Sequence, residues 1–349
     1  MTYASRDALY LAVPRARQDG WSWYTDLADH KEATTIHKLR LESAQARAAY
    51  EASGLVKGRI LNQFSLDEHE GHLRIASTSG RQGWGSDVEN AVTVLKQLGP
   101  LLVPAGVLDH LAPTEDIRAV RFDGPKGYVV TFKKTDPLFV IDLADPTAPA
   151  VLGELKIPGF STYMQKMGDH HLLTIGYDAD DQGSFAWFTG VMLQIFDVTV
   201  PTAPLLKFKH VIGTRGSSSE ALNNHLAFTY YAPKNILALP LTVCEDSAGA
   251  GSYGMNMTFS GLMVFDVTAE AGFSLRGQIP FPTADDSLNP DPWGDYYGNN
   301  MCTNWWTQAS SEVQRSLIID NYVYGISPTT LKVNDLDDLG QDLVTLSLQ

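Results

Sequence analysis

At 349 residues and 38.2 kDa, with 44% hydrophobic residues, the chain holds enough apolar content for two ordinary domains or one large repeat array. Its formal net charge of −14 leaves no basic excess to neutralise phosphates, which argues against nucleic acid and anionic membranes as partners and favours cations, neutral polymers or basic proteins. No run reaches the roughly 18 uncharged apolar residues of a membrane span, and Met1 to Tyr10 carries no basic-then-apolar export signal.

In chain order, Ala8 to Val13 reads as a strand, followed by a long loop with Trp21, Trp23 and Tyr24, and then by Thr34 to Leu41 as the next strand. The alanines of Glu42 to Ala52 favour helix by propensity, but the flanking runs call for a short loop and a returning strand through Tyr50 to Ile60. This first set lacks an obvious opening strand. Leu73 to Ser77, Ala91 to Leu95 and Leu101 to Leu108 give a second set. The clearest stretch is Val120 to Phe160, where Tyr128 to Phe132, Pro137 to Leu143 and Ala150 to Ile157 are β-branched and aromatic runs separated by Pro, Gly and Asp turns: an antiparallel meander. His171 to Tyr177, Val191 to Val198 and Leu205 to Ile212 follow, with Asp178 to Gly190 as an insertion. The fifth set is Leu226 to Tyr231, Asn235 to Val243, Gly261 to Val267 and Phe273 to Ile279, broken by a Gly/Ser/Met loop from Glu245 to Ser260. The sixth is Ser316 to Asp320, Tyr322 to Ile326, Leu331 to Leu336 and Leu343 to Leu348.

The core stretch repeats. Met192 to Pro204 rewrites Pro137 to Pro149, with Gly261 to Thr268 and Leu331 to Leu336 as weaker copies that align Asp142, Asp197, Asp266 and Asp335. Asp142, Asp197 and Asp266 fall where a strand gives way to a turn, so their carboxylates are expected to accept backbone N–H groups there. Repeated units of roughly 40 to 45 residues in meander order predict an all-β β-propeller of about six four-stranded blades, as one domain over residues 1–349, in preference to a sandwich or solenoid.

The phrases N-Q-F-S-L-D-E-H-E-G-H-L-R-I-A-S-T (Asn62 to Thr78), Y-V-V-T-F-K-K-T-D-P-L-F-V-I-D-L-A-D-P (Tyr128 to Pro146), G-E-L-K-I-P-G-F-S-T-Y (Gly153 to Tyr163) and S-E-A-L-N-N-H-L-A-F (Ser219 to Phe228) resemble the bacterial and archaeal secreted β-propeller family distantly related to WD40 repeats. The resemblance spans nearly the whole chain. It implies a propeller fold and an exported origin, extracellular or periplasmic in the full-length form; the family members carry a signal segment and further N-terminal sequence that this chain lacks. It implies no reaction.

The least ordinary segment is Gly277 to Gln314, which holds Trp293, Tyr296, Tyr297, Trp305 and Trp306 beside Asp286, Asp291 and Asp295, with Asp285 close by and no Lys, Arg or His. Aromatic faces next to hydrogen-bonding acids suit a protein, a polysaccharide or a cation; the same rings could instead pack over the end of the fold. With Trp187, Phe188 and the Trp21 loop they are expected to form an acidic aromatic binding face. The favoured function is a non-enzymatic binding or scaffold module for a protein or polysaccharide. The alternative is a sugar-active hydrolase with Asp286 and Asp295 as acid and base. Cys244 and Cys302 are expected on one face, either as a disulfide pinning the long loop or as two thiols.

No cofactor is expected, with calcium as the one ion left open. Asp178-Ala-Asp180-Asp181-Gln182-Gly183 starts like a calcium loop but departs from it at Gln182 and Thr189. Asp169, His170, His171, Asn224 and His225 lack metal-ligand spacing and read as turn and strand residues. Gly159 to Tyr163 fails the nucleophile elbow at its last position, and Gly80 to Gly85 has its glycines in the wrong order for a dinucleotide loop.

Overall fold

The computed structural model describes residues 1–16, 32–42, 47–80, 88–132, 135–181, 186–245, 254, 256–281 and 312–348. Within them, 24 strands fall into six antiparallel groups of four, each running in meander order. The first group is β1 (Thr2–Ala4), β2 (Ala8–Ala16), β3 (Glu32–Glu42) and β4 (Arg47–Lys57). The second is β5 (Leu66–His69), β6 (His72–Ser79), β7 (Glu89–Leu98) and β8 (Leu101–Leu111), and the third is β9 (Asp116–Asp123), β10 (Lys126–Phe132), β11 (Thr135–Asp142) and β12 (Ala150–Pro158). The fourth is β13 (Phe160–Met167), β14 (His171–Asp181), β15 (Ala186–Asp197) and β16 (Leu205–Ile212). The fifth is β17 (Thr229–Tyr231), β18 (Ile236–Glu245), β19 (Asn256–Thr268) and β20 (Gly272–Pro280), and the sixth is β21 (Arg315–Ile319), β22 (Tyr322–Ile326), β23 (Thr330–Asp335) and β24 (Asp338–Ser347).

These are the six four-stranded blades expected from the repeat. The chain divides into two compact units, Met1–Phe160 with Val200–Pro204, and Ser161–Thr199 with Leu205–Gln349.

The burial patterns explain why the second strands read as continuous apolar runs. β10 and β18 are buried along nearly their whole length, on both faces, whereas the fourth strands β12 and β16 alternate between exposed and covered positions. In the first unit, Tyr10, Ile36, Leu73, Ile75, Leu95 and Leu102 make one core cluster and Val92, Val120, Phe122, Val129 and Ile141 belong to another. In the second unit, Leu193, Leu239 and Phe265 belong to one cluster and Val264, Ile279 and Val323 to another.

Several expectations are corrected. The first blade does open with its own strand: β1 is three residues long and pairs Tyr3 with Tyr10, too short to leave a hydrophobic pattern. The Asp178 to Gly190 stretch is strand on both sides rather than a loop: β14 and β15 continue into it and pair Ala179 with Phe188 and Asp180 with Trp187. Trp187 and Phe188 are therefore strand residues rather than loop residues. Leu226 lies in a 3-10 turn, His225–Ala227, and only Thr229–Tyr231 of that run is strand.

The repeated aspartates sit at the ends of the third strands. Asp142, Asp197 and Asp335 each accept the backbone N–H two residues on, from Ala144, Thr199 and Asp337, at 2.9–3.0 Å. Asp266 instead pairs with Arg276 at 2.9 Å.

The turn that follows is a packing device. A Cβ at Gly106 of β8 would lie 2.6 Å from the Pro146 carbonyl oxygen and 2.7 Å from Pro149 Cδ, and one at Gly153 of β12 would lie 2.4 Å from the Pro201 oxygen and 2.9 Å from Pro204 Cδ. The repeated P-T-A-P turn thus presses onto a glycine in the outermost strand of the blade before it. Gly277 of β20 receives Leu339 in the same way. All three glycines pair with the residue just before a β-bulge: Val94 with Gly106, Val140 with Gly153, Val264 with Gly277.

Candidate functional site

In the first unit, the first strands of three blades open onto one pocket of about 470 Å³, lined by Thr2, Tyr3 and Ala4 of β1, by Gln63, Phe64, Leu66 and Asp67, and by Arg121 and Phe122 of β9. Each lining segment is held by local chemistry. Asn62 caps the single 3-10 turn Gln63–Ser65, its Oδ1 accepting the Phe64 N–H at 3.0 Å, which places Phe64 ahead of β5. Arg121 then lies over the Phe64 ring, 4.6 Å from its centroid. The Glu68 N–H donates to the Tyr3 hydroxyl at 3.0 Å, tying β1 to β5. Burial pushes the Tyr3 phenol up from its ordinary value.

The hairpin β5–β6 is the structural centre of the site. Glu70 at φ 49° and Gly71 at φ 75° form its tight turn, a left-handed pair that fixes the register His69↔His72 and hence Asp67↔Arg74. Arg74 is 3% exposed; its Nε donates to Asp67 Oδ2 at 3.0 Å, its Nη2 bonds the same oxygen, and its Nη1 bonds the Gly124 carbonyl. Its guanidinium also lies 5.2 Å from the Phe122 ring centroid. Behind the pocket, Glu68 accepts from Ser5 and stands 3.8 Å from Lys38 Nζ. Burial and, secondarily, the Glu68 charge raise the Tyr10 phenol.

The same hairpin lines a second pocket of about 350 Å³ with His69, Glu70, His72 and Arg74, completed by Val94, Pro125 and the turn Leu143, Ala144, Pro146. A third polar group lies elsewhere in this unit: potential ligand atoms of Glu89, Asp109 and His110 are all within 4.8 Å of one another. Lys57 bonds Glu89 there and stands 3.7 Å from Asp109, so this group already holds a cation of its own.

Of the residues singled out from the sequence, Asp286, Asp291, Trp293, Asp295, Tyr296, Tyr297, Trp305 and Trp306 lie outside the described residues, as do Cys302, Trp21, Trp23, Tyr24 and Gly85. Cys244 is buried at the end of β18 and is not a free thiol. At the head of the calcium-like stretch, Asp178 is held by Lys209 at 2.6 Å and by the Thr189 hydroxyl at 3.2 Å. His171 Nε2 is 3.8 Å from Asp197, and Asn224 caps a 3-10 turn by accepting the Leu226 N–H. Ser161 is fully buried in β13 beside Thr174, at 3.1 Å, rather than on an exposed elbow.

Sequence reasoning passed over Tyr3, Gln63, Phe64, Asp67, Arg74 and Arg121 as site residues. A partial signal was present: the Asn62 to Thr78 phrase supplies four of the nine lining residues of each pocket, and its E-G turn implies the Asp67–Arg74 pairing.

Residues 1–339 match the family model of the beta propeller domain. An uncharacterized protein of Archaeoglobus fulgidus is 37% identical over 210 residues, 60% of this chain and 31% of that protein; one of Methanocaldococcus jannaschii is 43% identical over 157 residues, 45% and 24% respectively. The chain thus spans less than a third of the length of these curated relatives. Among solved structures, Saccharomyces cerevisiae Sqt1 is similar with a TM-score of 0.47 at 7% identity, covering 90% of this chain and 70% of that one. The periplasmic gluconolactonase PpgL of Pseudomonas aeruginosa is similar with a TM-score of 0.34 at 12% identity, covering 97% and 95%.

Proposed function

The chain belongs to the beta propeller domain family, and from that premise we propose that it is a non-enzymatic binding module of an exported protein, whose ligand is a protein or a polysaccharide. One observation carries this reading. Asp67 is the only carboxylate among the described residues lining the larger pocket, and a nearly fully buried arginine holds it in two contacts. A two-carboxylate sugar hydrolase needs an acid and a base flanking the bond, so this pocket, with one carboxylate held by a guanidinium, does not favour that chemistry, while Asp286 and Asp295, the pair such a hydrolase would use, lie outside the described residues. What the pocket offers instead is a fixed guanidinium laid on an aromatic ring, an amide and a phenol, which are recognition groups. The buried, non-thiol Cys244 supports an oxidising compartment. The Trp293 to Trp306 aromatics and their acids would extend the binding face.

Thermal melting against soluble polysaccharides and peptides tests this, since a ligand that binds only the folded state raises the midpoint by mass action. The expected result is a dose-dependent rise that Arg121→Ala or Phe64→Ala abolishes. A rise that neither these variants nor alanine at Trp293, Trp305 and Trp306 alters would overturn the assignment, and so would turnover of a sugar substrate.

A further inference from the structure

His69-Glu70-Gly71-His72 places two imidazoles at the two ends of one tight turn. Glu70 at φ 49° and Gly71 at φ 75° close that turn, and the register pairs His69 directly with His72. Residues directly opposite in an antiparallel pair project to the same face of the sheet, with Cβ atoms roughly 4.5–5.5 Å apart. Both histidines accordingly line one pocket, that of about 350 Å³, together with Glu70 and Arg74. Imidazoles rooted this close can share one metal ion at the usual nitrogen distance of about 2.0–2.1 Å.

The state of each ring suits a ligand. His72 Nδ1 lies 3.1 Å from the Glu70 backbone oxygen, and a carbonyl can only accept, so Nδ1 carries the proton. Nε2 of the neutral ring then keeps its lone pair, and a bond from the other ring nitrogen to a carbonyl is how metal-binding imidazoles are commonly oriented. His69 Nε2 stands 4.0 Å from Glu70 Oε1, beyond hydrogen-bond reach, so the carboxylate sits beside this ring without taking up its nitrogen.

We propose that His69 and His72 form a binding site for a divalent transition-metal ion, with the Glu70 carboxylate offsetting its charge and water filling the remaining positions. Nitrogen ligands favour zinc, copper or nickel, whereas calcium and magnesium take oxygen. Arg74 does not stand against a cation here: it is 3% exposed and bonds Asp67 through two nitrogens and the Gly124 carbonyl through the third, so its charge is already matched. No lysine lines this pocket among the described residues, in contrast to Lys57 at Glu89 and Asp109. An anion fits less well, because it would meet the Glu70 carboxylate, the His72 lone pair and a chain of net charge −14.

Isothermal titration of the whole chain with zinc chloride, and separately with calcium and magnesium chlorides, tests the site. The tightest zinc-binding event is expected at the pair, with no comparable uptake of calcium or magnesium. His69→Ala and His72→Ala should each weaken it by on the order of a hundredfold, since the second imidazole joins an ion already held on the same scaffold. Both side chains are partly exposed, so the variants are expected to fold. The chain has nine histidines, and His110→Ala is the control that should leave the event unchanged. Pulsed EPR of the unaltered chain with equimolar copper(II) needs no variant and should show two imidazole nitrogens on the copper. No zinc uptake, a tightest event that survives both alanines or falls with His110→Ala, calcium bound as tightly as zinc, or a copper spectrum with fewer than two imidazoles overturns the inference. So does binding of inorganic phosphate that His72→Ala abolishes, which would make the pocket an anion site.

Discussion

Replacing Gly153 with alanine asks whether the P-T-A-P turn is a packing device. The new methyl carbon would sit 2.4 Å from the Pro201 carbonyl oxygen, 2.9 Å from Pro204 Cδ and 3.0 Å from the Thr202 carbonyl carbon. Two of these three are backbone atoms, which cannot swing aside as the tip of a flexible side chain can. Gly153 is not among the positive-φ glycines, so conformational strain contributes nothing and the cost is overpacking alone. Overpacking of this kind costs about 1–3 kcal/mol. On the scale of roughly 2–4 °C per kcal/mol for large domains, that lowers the melting midpoint by about 2–12 °C. Denaturant unfolding gives the free-energy change itself, read as a midpoint change at constant slope. Trimming the partner should not rescue it: Pro204→Ala removes the Cδ contact but leaves the nearer Pro201 oxygen in place. Gly124→Ala is the matched control, with φ 50° and nothing within 4 Å, where only left-handed strain acts. If Gly153→Ala unfolds within about 0.5 kcal/mol of the unaltered chain, the socket does not exist as described.

Asp67→Ala leaves Arg74 buried with Gly124 O as its remaining bonded partner and is expected to cost about 3–5 kcal/mol in denaturant unfolding, more than the double change Asp67→Leu with Arg74→Leu; a larger loss from the double change would refute this. Tyr128 is 1% exposed, and burial followed by the Asp123 charge pushes its phenol up to about 12 from an ordinary 10.0. Because the folded value is the raised one, the stability this group contributes is complete below pH 10.0 and drains away as pH climbs to about 12. Tyr128→Phe should flatten that alkaline loss, and an unchanged profile would count against it. Cys244 and Cys302 are expected to resist alkylation until reductant is added and then to take two labels; two labels without reductant would exclude the bridge.

The blades were legible because the signals that define them are local. Asp142 and Asp197 bond N–H groups two residues away, and the P-T-A-P turns follow at once, so a short window shows the punctuation. A lone Gly153 inside a strand run likewise signals a bulge or a close backbone approach, and here it marks both. The larger pocket was not legible, because it gathers three segments that no window spans: Thr2–Ala4, the Asn62 to Asp67 lead-in, and Arg121 with Phe122. Each is ordinary alone. Composition drew attention to the Trp-rich segment, whereas the described site is built from single residues whose only shared trait is lying on or just before a blade's first strand.

The fourth blade shows what the repeat conserves physically. Where β8, β12 and β20 place a glycine before the bulge, β16 places Phe208, paired with Ile195. The glycine has moved to the other side of the contact: a Cβ at Gly272, the first residue of β20, would lie 2.7 Å from the Phe208 ring. One partner is small and the other large at each contact, but which is which can be exchanged, as close packing at fixed volume allows. A search for repeated residues therefore finds the turns and misses this contact, while a search for paired volumes finds both.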